Sequence, residues 1–483
     1  MPATRPAFVP ASVGVPLLAR PHGAVLFRRP EGEVTAYRFL AAAHGVAAAL
    51  PDAPLLNLCA DRYHVALGLA AAALAGRVSL FTGERSSAWL DALAARFPGL
   101  TALTDHAATG PAGLPCFDLT AIPPAAGDFP APCLPADRLA AIVFTSGSTG
   151  EPEGHRKSWG ALAARSRDAG RRFGLTEAAV VGTVPGQHMY GLETTILLPF
   201  HAGAASWCGP AFYPVDIAAA LAACPSPRVL VTTPLQLRAL LTAGIALPQI
   251  SRVISATAPL EVALATAAEH AWNTEIWEIF GATEVGSIAS RHTVAGPEWR
   301  TYPRVRLTAA PDQAARVSAP HSAPFPLNDR VALDGPTRFH LLGRGNDLVK
   351  LGGRRASLAG LTRILTGIEG VEDGVFIAPE DLEVRPTARM LAFAVAPALR
   401  AEDILAQLRA RIDPIFLPRR VVCLDRLPRD PLGKLPARAL EALRAQALGL
   451  DAAAPPALPP PALPPPTLPP QTLPPRTLAD RPA

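Results

Sequence analysis

Lysine is almost missing from this chain: among 45 lysine and arginine residues in 483, only Lys157, Lys350 and Lys434 are lysine. Arginine serves wherever a positive charge suffices, so the retained lysines mark places that want a compact, flexible ammonium. Codon bias with accidental placement is the competing explanation, and it weakens as each of the three falls inside a motif described below. Basic clusters are also missing. A formal charge of +5 and a pI near 9.0, without Lys/Arg runs or aromatic-basic alternation, give nucleic acid little support. Long apolar runs are absent too. Pro10 and Pro16 interrupt the start of the chain and the Ala66–Ala75 stretch is too short to span a bilayer, so no leader or membrane span is expected and the cytoplasm is the expected compartment. Six cysteines, Cys59, Cys116, Cys133, Cys208, Cys224 and Cys423, show neither CxxC nor Cys/His metal spacing; they are expected to be small core hydrophobes in a reducing compartment.

What is present describes a globular enzyme of more than one domain: 483 residues, 49% hydrophobic and 18% charged. Short β-like runs at Leu55–Cys59 and Val78–Phe81, with a helix at Tyr63–Ala75, open an α/β fold. From 200 to 280 the alternation is regular. Strand-like Ala204–Cys208, Arg228–Thr232, Arg252–Ala256 and Glu275–Phe280 are separated by helix-like Asp216–Ala223, Leu235–Ala243 and Leu260–Trp272. Such alternation predicts a parallel sheet covered by helices, with ligands gathering at the carboxyl ends of the strands. The expected class is therefore α/β: a large N-terminal domain of helix-covered parallel-type sheets over residues 1–343. A smaller α+β domain is expected over 347–450, with strands at Leu348–Leu351, Val371–Ala378, Met390–Ala396 and Arg420–Leu424 and helices at Leu358–Leu365 and Glu402–Ile412. Residues 451–483 hold 13 prolines in 33 positions and are expected to form a disordered, polyproline-like tail. A spacer and a docking peptide for an aromatic groove both fit that composition.

The chemistry is concentrated at Ile142–Trp159. An apolar run ends abruptly in Thr145-Ser146-Gly147-Ser148-Thr149-Gly150, a hydroxyl-rich glycine loop whose N–H and O–H donors suit a phosphate chain. An ordinary Ser/Gly turn has the same composition, and no Gly-Lys-Ser/Thr follows with Walker A spacing.

Taken in order, the motifs resemble the adenylate-forming superfamily of acyl-CoA synthetases, aryl ligases and peptide-synthetase adenylation domains, over about residues 30 to 445. The glycine loop is similar to that family's phosphate-binding signature through Gly150. Glu153 then replaces the usual basic residue, and Lys157 is its candidate substitute. Gln187-His188-Met189-Tyr190-Gly191 resembles the acyl-pocket wall; a buried, hydrogen-bonded histidine is the alternative for His188. Ala256-Thr257-Ala258 resembles the adenine-side loop, with Ala and Thr where two glycines are usual. Phe280-Gly281-Ala282-Thr283-Glu284 resembles the aromatic-Gly-x-Thr-Glu motif, which implies Thr283 at the α-phosphate and Glu284 as the Mg²⁺ ligand.

Asp329 matches the ribose-binding aspartate, after Asn328 in place of glycine. The Gly343–Gly353 run resembles the hinge motif. That implies Arg344 and Lys350 at the nucleotide, Asn346 as the pivot and Gly353 at the thiol channel. Leu427–Lys434 looks like the loop that delivers the catalytic lysine. The resemblance implies ATP and Mg²⁺ as cofactors, a carboxylic acid as substrate, and an acyl carrier protein or coenzyme A as thiol partner. Catalysis would fall to Lys434, Thr283, Glu284 and His188. Tyr190, where a peptide-type domain would carry an aspartate, argues against an α-amino acid, and Tyr190, Met189 and Trp207 suggest an aromatic or apolar acyl group. Among sub-families, the Glu-Pro…His-Arg-Lys-x-Trp and Gln-His-Met-Tyr-Gly runs look most like ligases of aryl polyene and xanthomonadin-type pathways, which load hydroxyaryl acids onto a carrier protein. The rivals are a fatty acyl-CoA ligase and an adenylate- or nucleotide-binding homologue without turnover.

Overall fold

Where strands and helices alternate in sequence, the chain builds the parallel centre of a wide sheet. The computed structural model describes residues 14–106, 113–146, 152–309, 314–344, 348–351, 354–378, 390–430 and 433–448. Among them Val25–Arg29, Ala205–Trp207, Ala179–Gly182, Arg228–Thr232, Arg252–Ser255 and Glu275–Ala282 lie side by side, all parallel. The crossover helices begin and end where local chemistry dictates. Thr233 caps the Pro234–Ala243 helix by accepting the Gln236 N–H at 3.3 Å, with Pro234 at its first position. That helix stops at Gly244 and the Val262–Trp272 helix at Asn273, both in the left-handed region (φ 61° and 47°).

After Ala282 the sheet changes character. The chain reverses into Gly286–His292 and continues antiparallel through Trp299–Thr301, Arg338–Arg344 and Asp329–Leu333; with antiparallel Gly32–Thr35 beside Val25–Arg29 at the other edge, the sheet has eleven strands among the described residues. Nothing in the sequence reading assigned this half, because its strands are short and carry arginines at places where alternation would show. Packing holds it instead: the Phe280 ring lies 5.8 Å from both Trp299 and Phe339.

A second sheet of six strands, again among the described residues, contains parallel Leu55–Asn57, Ser79–Thr82, Thr101–Thr104 and Leu139–Ser146, and its edge is the antiparallel Pro152–Ser158. The Trp159–Phe173 helix follows that edge strand and is buried on nearly every side; even Arg165 and Asp168, paired at 3.6 Å, are buried.

The C-terminal unit has its own core. Helices Leu358–Thr366 and Ala401–Arg409 pack Leu361, Leu365, Ile404 and Leu408 against a sheet of Asp373–Ile377, Leu391–Val395 and Arg420–Cys423. Among the described residues, its contacts with the large domain include the Thr366 hydroxyl, which donates to Glu261 Oε1 at 3.1 Å, and Gly433, which rests against Leu235; within the large domain Glu261 also pairs with Arg238 at 3.7 Å. Of the cysteines, Cys59, Cys208 and Cys224 are buried as expected. Cys116, Cys133 and Cys423 are exposed, because they sit on short edge or outer strands, so the core assignment is corrected for those three. No helix among the described residues is long and apolar enough to cross a membrane.

Candidate active site

The Thr283–Glu284 turn is built by two glycines. The Glu275–Ala282 strand shifts register after Phe280, and a Cβ on Gly281 would lie 2.7 Å from the Gly286 carbonyl. Gly286 itself has φ 96°, and a Cβ there would meet the Glu193 carboxylate at 2.3 Å. Between these close approaches the chain has room only for a tight turn at the carboxyl end of its strand, which leaves Thr283 and Glu284 partly exposed. Among the described residues no group of three or more His, Cys, Asp or Glu side chains is placed to hold a metal alone. A single accessible carboxylate fits Mg²⁺, which commonly takes one or two protein oxygens and completes its shell with phosphates and water.

The glycine loop joins two antiparallel strands, Leu139–Ser146 and Pro152–Ser158; residues 147–150 lie outside the described residues. Period-two alternation turns His155 and Lys157 inward and Arg156 outward; Glu153, on the same face as His155 but nearer the loop, is exposed. Thr145 Oγ1 and His155 Nε2 are 2.9 Å apart. Burial lowers the His155 pKa, against the opposing pull of Glu284 and Glu153. Lys157 is 3% exposed and donates to the main-chain carbonyl of Glu284 at 2.7 Å. The ammonium expected to substitute for the family's loop cation is thus buried and committed to protein. Burial brings its pKa down to about 8, with Glu193 and Glu284 pulling the other way.

At the neighbouring strand end, Ala256, Thr257 and Ala258 follow Ser255. Thr257 has φ 79°, a conformation a β-branched residue rarely adopts, so the backbone keeps a glycine's geometry although the sequence does not. Glu278, which the sequence reading missed, fixes this loop: its carboxylate accepts the Leu260 N–H at 2.9 Å and Arg291 at 2.8 Å while 4% exposed. A charged residue at the centre of Glu-Ile-Trp-Glu-Ile-Phe was the available signal. Asp329 and Arg344 stand directly opposite each other on paired strands, which brings the two expected nucleotide contacts together. Lys350 lies on the Leu348–Leu351 strand opposite Arg355, whereas Asn346 and Gly353 lie outside the described residues.

On the acyl side, His188 begins a helical segment, and its Nδ1 accepts the Tyr190 N–H at 3.4 Å. This leaves the ring proton on Nε2. Gly191 is required, because a Cβ would lie 2.0 Å from the Pro185 carbonyl. Met189 packs toward Gly286. The Tyr190 hydroxyl donates to Thr232 O at 3.2 Å and Ile254 O at 2.8 Å, tying two parallel strand ends together, so its polar end is occupied by main chain. Trp207 sits partly buried on a different strand, with its indole N–H directed at Pro210 O.

Lys434 belongs to the small unit, and the described residues flanking it are held by hydrogen bonds. Asp430 accepts the Lys434 N–H at 2.8 Å, and Arg429 joins Asp373, at 2.6 and 2.7 Å, to the Gly433 carbonyl at 2.8 Å. Gly433, at φ 79°, makes the bend. The Lys434 charge reaches His188: burial, and then Lys434, bring that imidazole down to about 3. His201, 7% exposed and 5.6 Å from Trp159 between ring centroids, is likewise lowered to about 3 by burial and then Arg167. Both rings stay neutral in the fold and take protons near pH 6.5 when unfolded. Unfolding stability is therefore expected to be insensitive to these groups above about pH 6.5 and to fall steadily toward pH 3. Urea denaturation across that range should show the slope, and His201→Phe should reduce it.

Among the described residues, the Thr283–Glu284 turn, the Thr257 loop and neutral His188 thus follow the carboxyl ends of parallel strands, and the charge of Lys434, from the smaller unit, acts on His188. Residues 77–330 match the model of the AMP-binding enzyme family, and the chain belongs to that family. A 4-coumarate–CoA ligase from Rhodobacter capsulatus is 33% identical over 281 residues, covering 58% of this chain and 69% of that protein. Two solved structures share the fold. ATP-bound MatB from Rhodopseudomonas palustris superposes with a TM-score of 0.73 at 20% identity, covering 90% of this chain and 97% of that one. O-succinylbenzoate coenzyme A synthetase from Bacillus subtilis with ATP and magnesium gives 0.73 at 17% identity, covering 85% and 95%. ATP use, with Mg²⁺, is accordingly supported for the family.

Proposed function

We propose that the protein is an ATP-dependent acid–thiol ligase that activates an aryl or hydroxyaryl carboxylic acid as its acyl-adenylate. It then passes the acyl group to a phosphopantetheine thiol, on an acyl carrier protein or coenzyme A. The observation that carries this reading is the Thr283–Glu284 turn at the carboxyl end of the Glu275–Ala282 strand, with the charge of Lys434, from the smaller unit, acting on buried His188. In the first step a substrate carboxylate oxygen bonds to the α-phosphorus and the bond to pyrophosphate breaks. Two anions have to approach, so the Lys434 ammonium offsets charge on the phosphate oxygens while the His188 Nε2–H is available to the carboxylate. Glu284 would hold Mg²⁺, which supplies charge neutralisation on the polyphosphate. In the second step a thiolate sulfur adds to the acyl carbonyl carbon and AMP departs with the electron pair of the mixed anhydride.

The cation, the Thr-Glu turn and the Asp329–Arg344 pair favour turnover over simple nucleotide storage. The aryl preference is supported by the 4-coumarate–CoA ligase relative and by the apolar Met189 wall. Acid-dependent exchange of labelled pyrophosphate into ATP, run with hydroxybenzoates, cinnamates and fatty acids, tests the reading. Exchange is expected with the aromatic acids. A preference for long aliphatic acids transfers the assignment to fatty acyl ligation, and no exchange with any acid removes the ligase reading. Carrier protein and coenzyme A are then compared by their acceleration of AMP release.

A further inference from the structure

Two buried charges next to this machinery are left without a part in it, Lys157 and Glu193, each 3% exposed. They come from different parts of the fold. Lys157 belongs to the strand leaving the glycine hairpin, and Glu193 to the helical stretch that continues from His188, Met189 and Tyr190. Both end on the same short turn. Lys157 Nζ donates to Glu284 O at 2.7 Å. Glu193 Oε2 accepts the Ser287 N–H at 3.1 Å and also the Ser287 hydroxyl. Gly286, between them, is the residue on which any side chain would strike Glu193. The turn Thr283–Val285 is thus held on one flank by an ammonium and on the other by a carboxylate, and the two opposite charges attract each other across it.

Such a pair is an expensive way to fill a core. Desolvating two ions costs several kcal/mol, and well-packed apolar residues commonly serve stability as well or better. The choice of lysine is also particular. An arginine fork would present a plane of donors to a site offering one carbonyl, and this chain uses arginine almost everywhere else.

We infer that Lys157 and Glu193 are positioning residues that clamp the Thr283–Glu284 turn, locking glycine hairpin, acyl wall and metal-binding carboxylate into one unit. The inference rests on the adenylation reading for its effect on rate, although not for the clamp itself. Misplacing a reacting group by about 1 Å costs on the order of 100-fold in rate, so the clamp acts on turnover more than on affinity.

The test is a double-mutant cycle in the full chain with Lys157→Met, Glu193→Gln and both together, read by urea unfolding, calorimetric ATP binding and pyrophosphate exchange. Each single change leaves one buried charge alone and is expected to lower the urea midpoint, which the double change largely restores. Exchange kcat is expected to stay about 10- to 100-fold down in all three, with the ATP Kd within about threefold. Recovery of kcat together with stability in the double variant overturns the inference, since the pair is then structural filler. A loss confined to ATP affinity also overturns it and returns Lys157 to the phosphates. Amide hydrogen exchange over residues 280–288 reads the clamp without turnover. It is expected to quicken in every variant, and unchanged protection there overturns the clamp whether or not the wild type adenylates any acid.

Discussion

Lys434→Ala is expected to lower acid-dependent pyrophosphate exchange by roughly 10²- to 10³-fold, the range typical of removing one preorganised charge-stabilising group. Transfer of the acyl group from a supplied adenylate to thiol should stay within about threefold of wild type, because in that step no new charge forms on phosphate. Lys434 belongs to the small lobe, where Asp430 accepts its N–H and Arg429 holds Asp373, and neither of those residues is altered by the substitution. The effect should therefore appear in kcat, with the loop itself intact. Measuring the two half-reactions separately decides the matter: equal losses in both would mean that the substitution has disturbed lobe docking and that the ammonium has no step-specific part.

Glu284→Ala is the second large effect. Exchange is expected to fall about 100-fold at saturating ATP, with the Mg²⁺ concentration for half-maximal rate moved upward and Glu284→Asp intermediate. The substitution isolates the carboxylate cleanly, since Lys157 is bound to the main-chain oxygen of residue 284 and that bond survives any side chain. A magnesium titration of the exchange rate is the measurement. An unchanged Mg²⁺ requirement would show that the metal is held elsewhere and would withdraw the role given to this residue.

Much of the fold could be read from sequence wherever burial imposed a period. Arg228–Thr232, between helices whose Thr and Pro starts and Gly or Asn stops are local signals, is a strand over the same residues that the pattern predicted. The antiparallel half from Gly286 to Arg344 escaped, because three-residue strands such as Trp299–Thr301 are too short to show alternation and are held by aromatic packing between distant positions. In the site, motifs located Thr283, Glu284 and Lys434, but motif order says nothing about direction. Lys157 is expected near the phosphates as the substitute for the basic residue that Glu153 replaces. Its side chain instead turns inward from the Pro152–Ser158 strand and carries the ammonium to a main-chain carbonyl. Glu193 gave no signal because nothing in its sequence surroundings distinguishes a solvated glutamate from one whose partner, Ser287, comes from another element, whereas Glu278, bonded to Leu260 and Arg291, was marked only by its place in an apolar strand.

Among the described residues, the seam between the lobes includes the Thr366 hydroxyl on Glu261 and a glycine brushing Leu235. Water can replace each of these at modest cost, since a single hydrogen bond to a charged group nets about 1.5–3 kcal/mol. Contacts of this kind are expected to let the small lobe part without opening either hydrophobic interior. A cycle that needs two poses would then be limited by how fast the lobe rotates, and strengthening this seam with an apolar contact should make the protein sturdier and slower together.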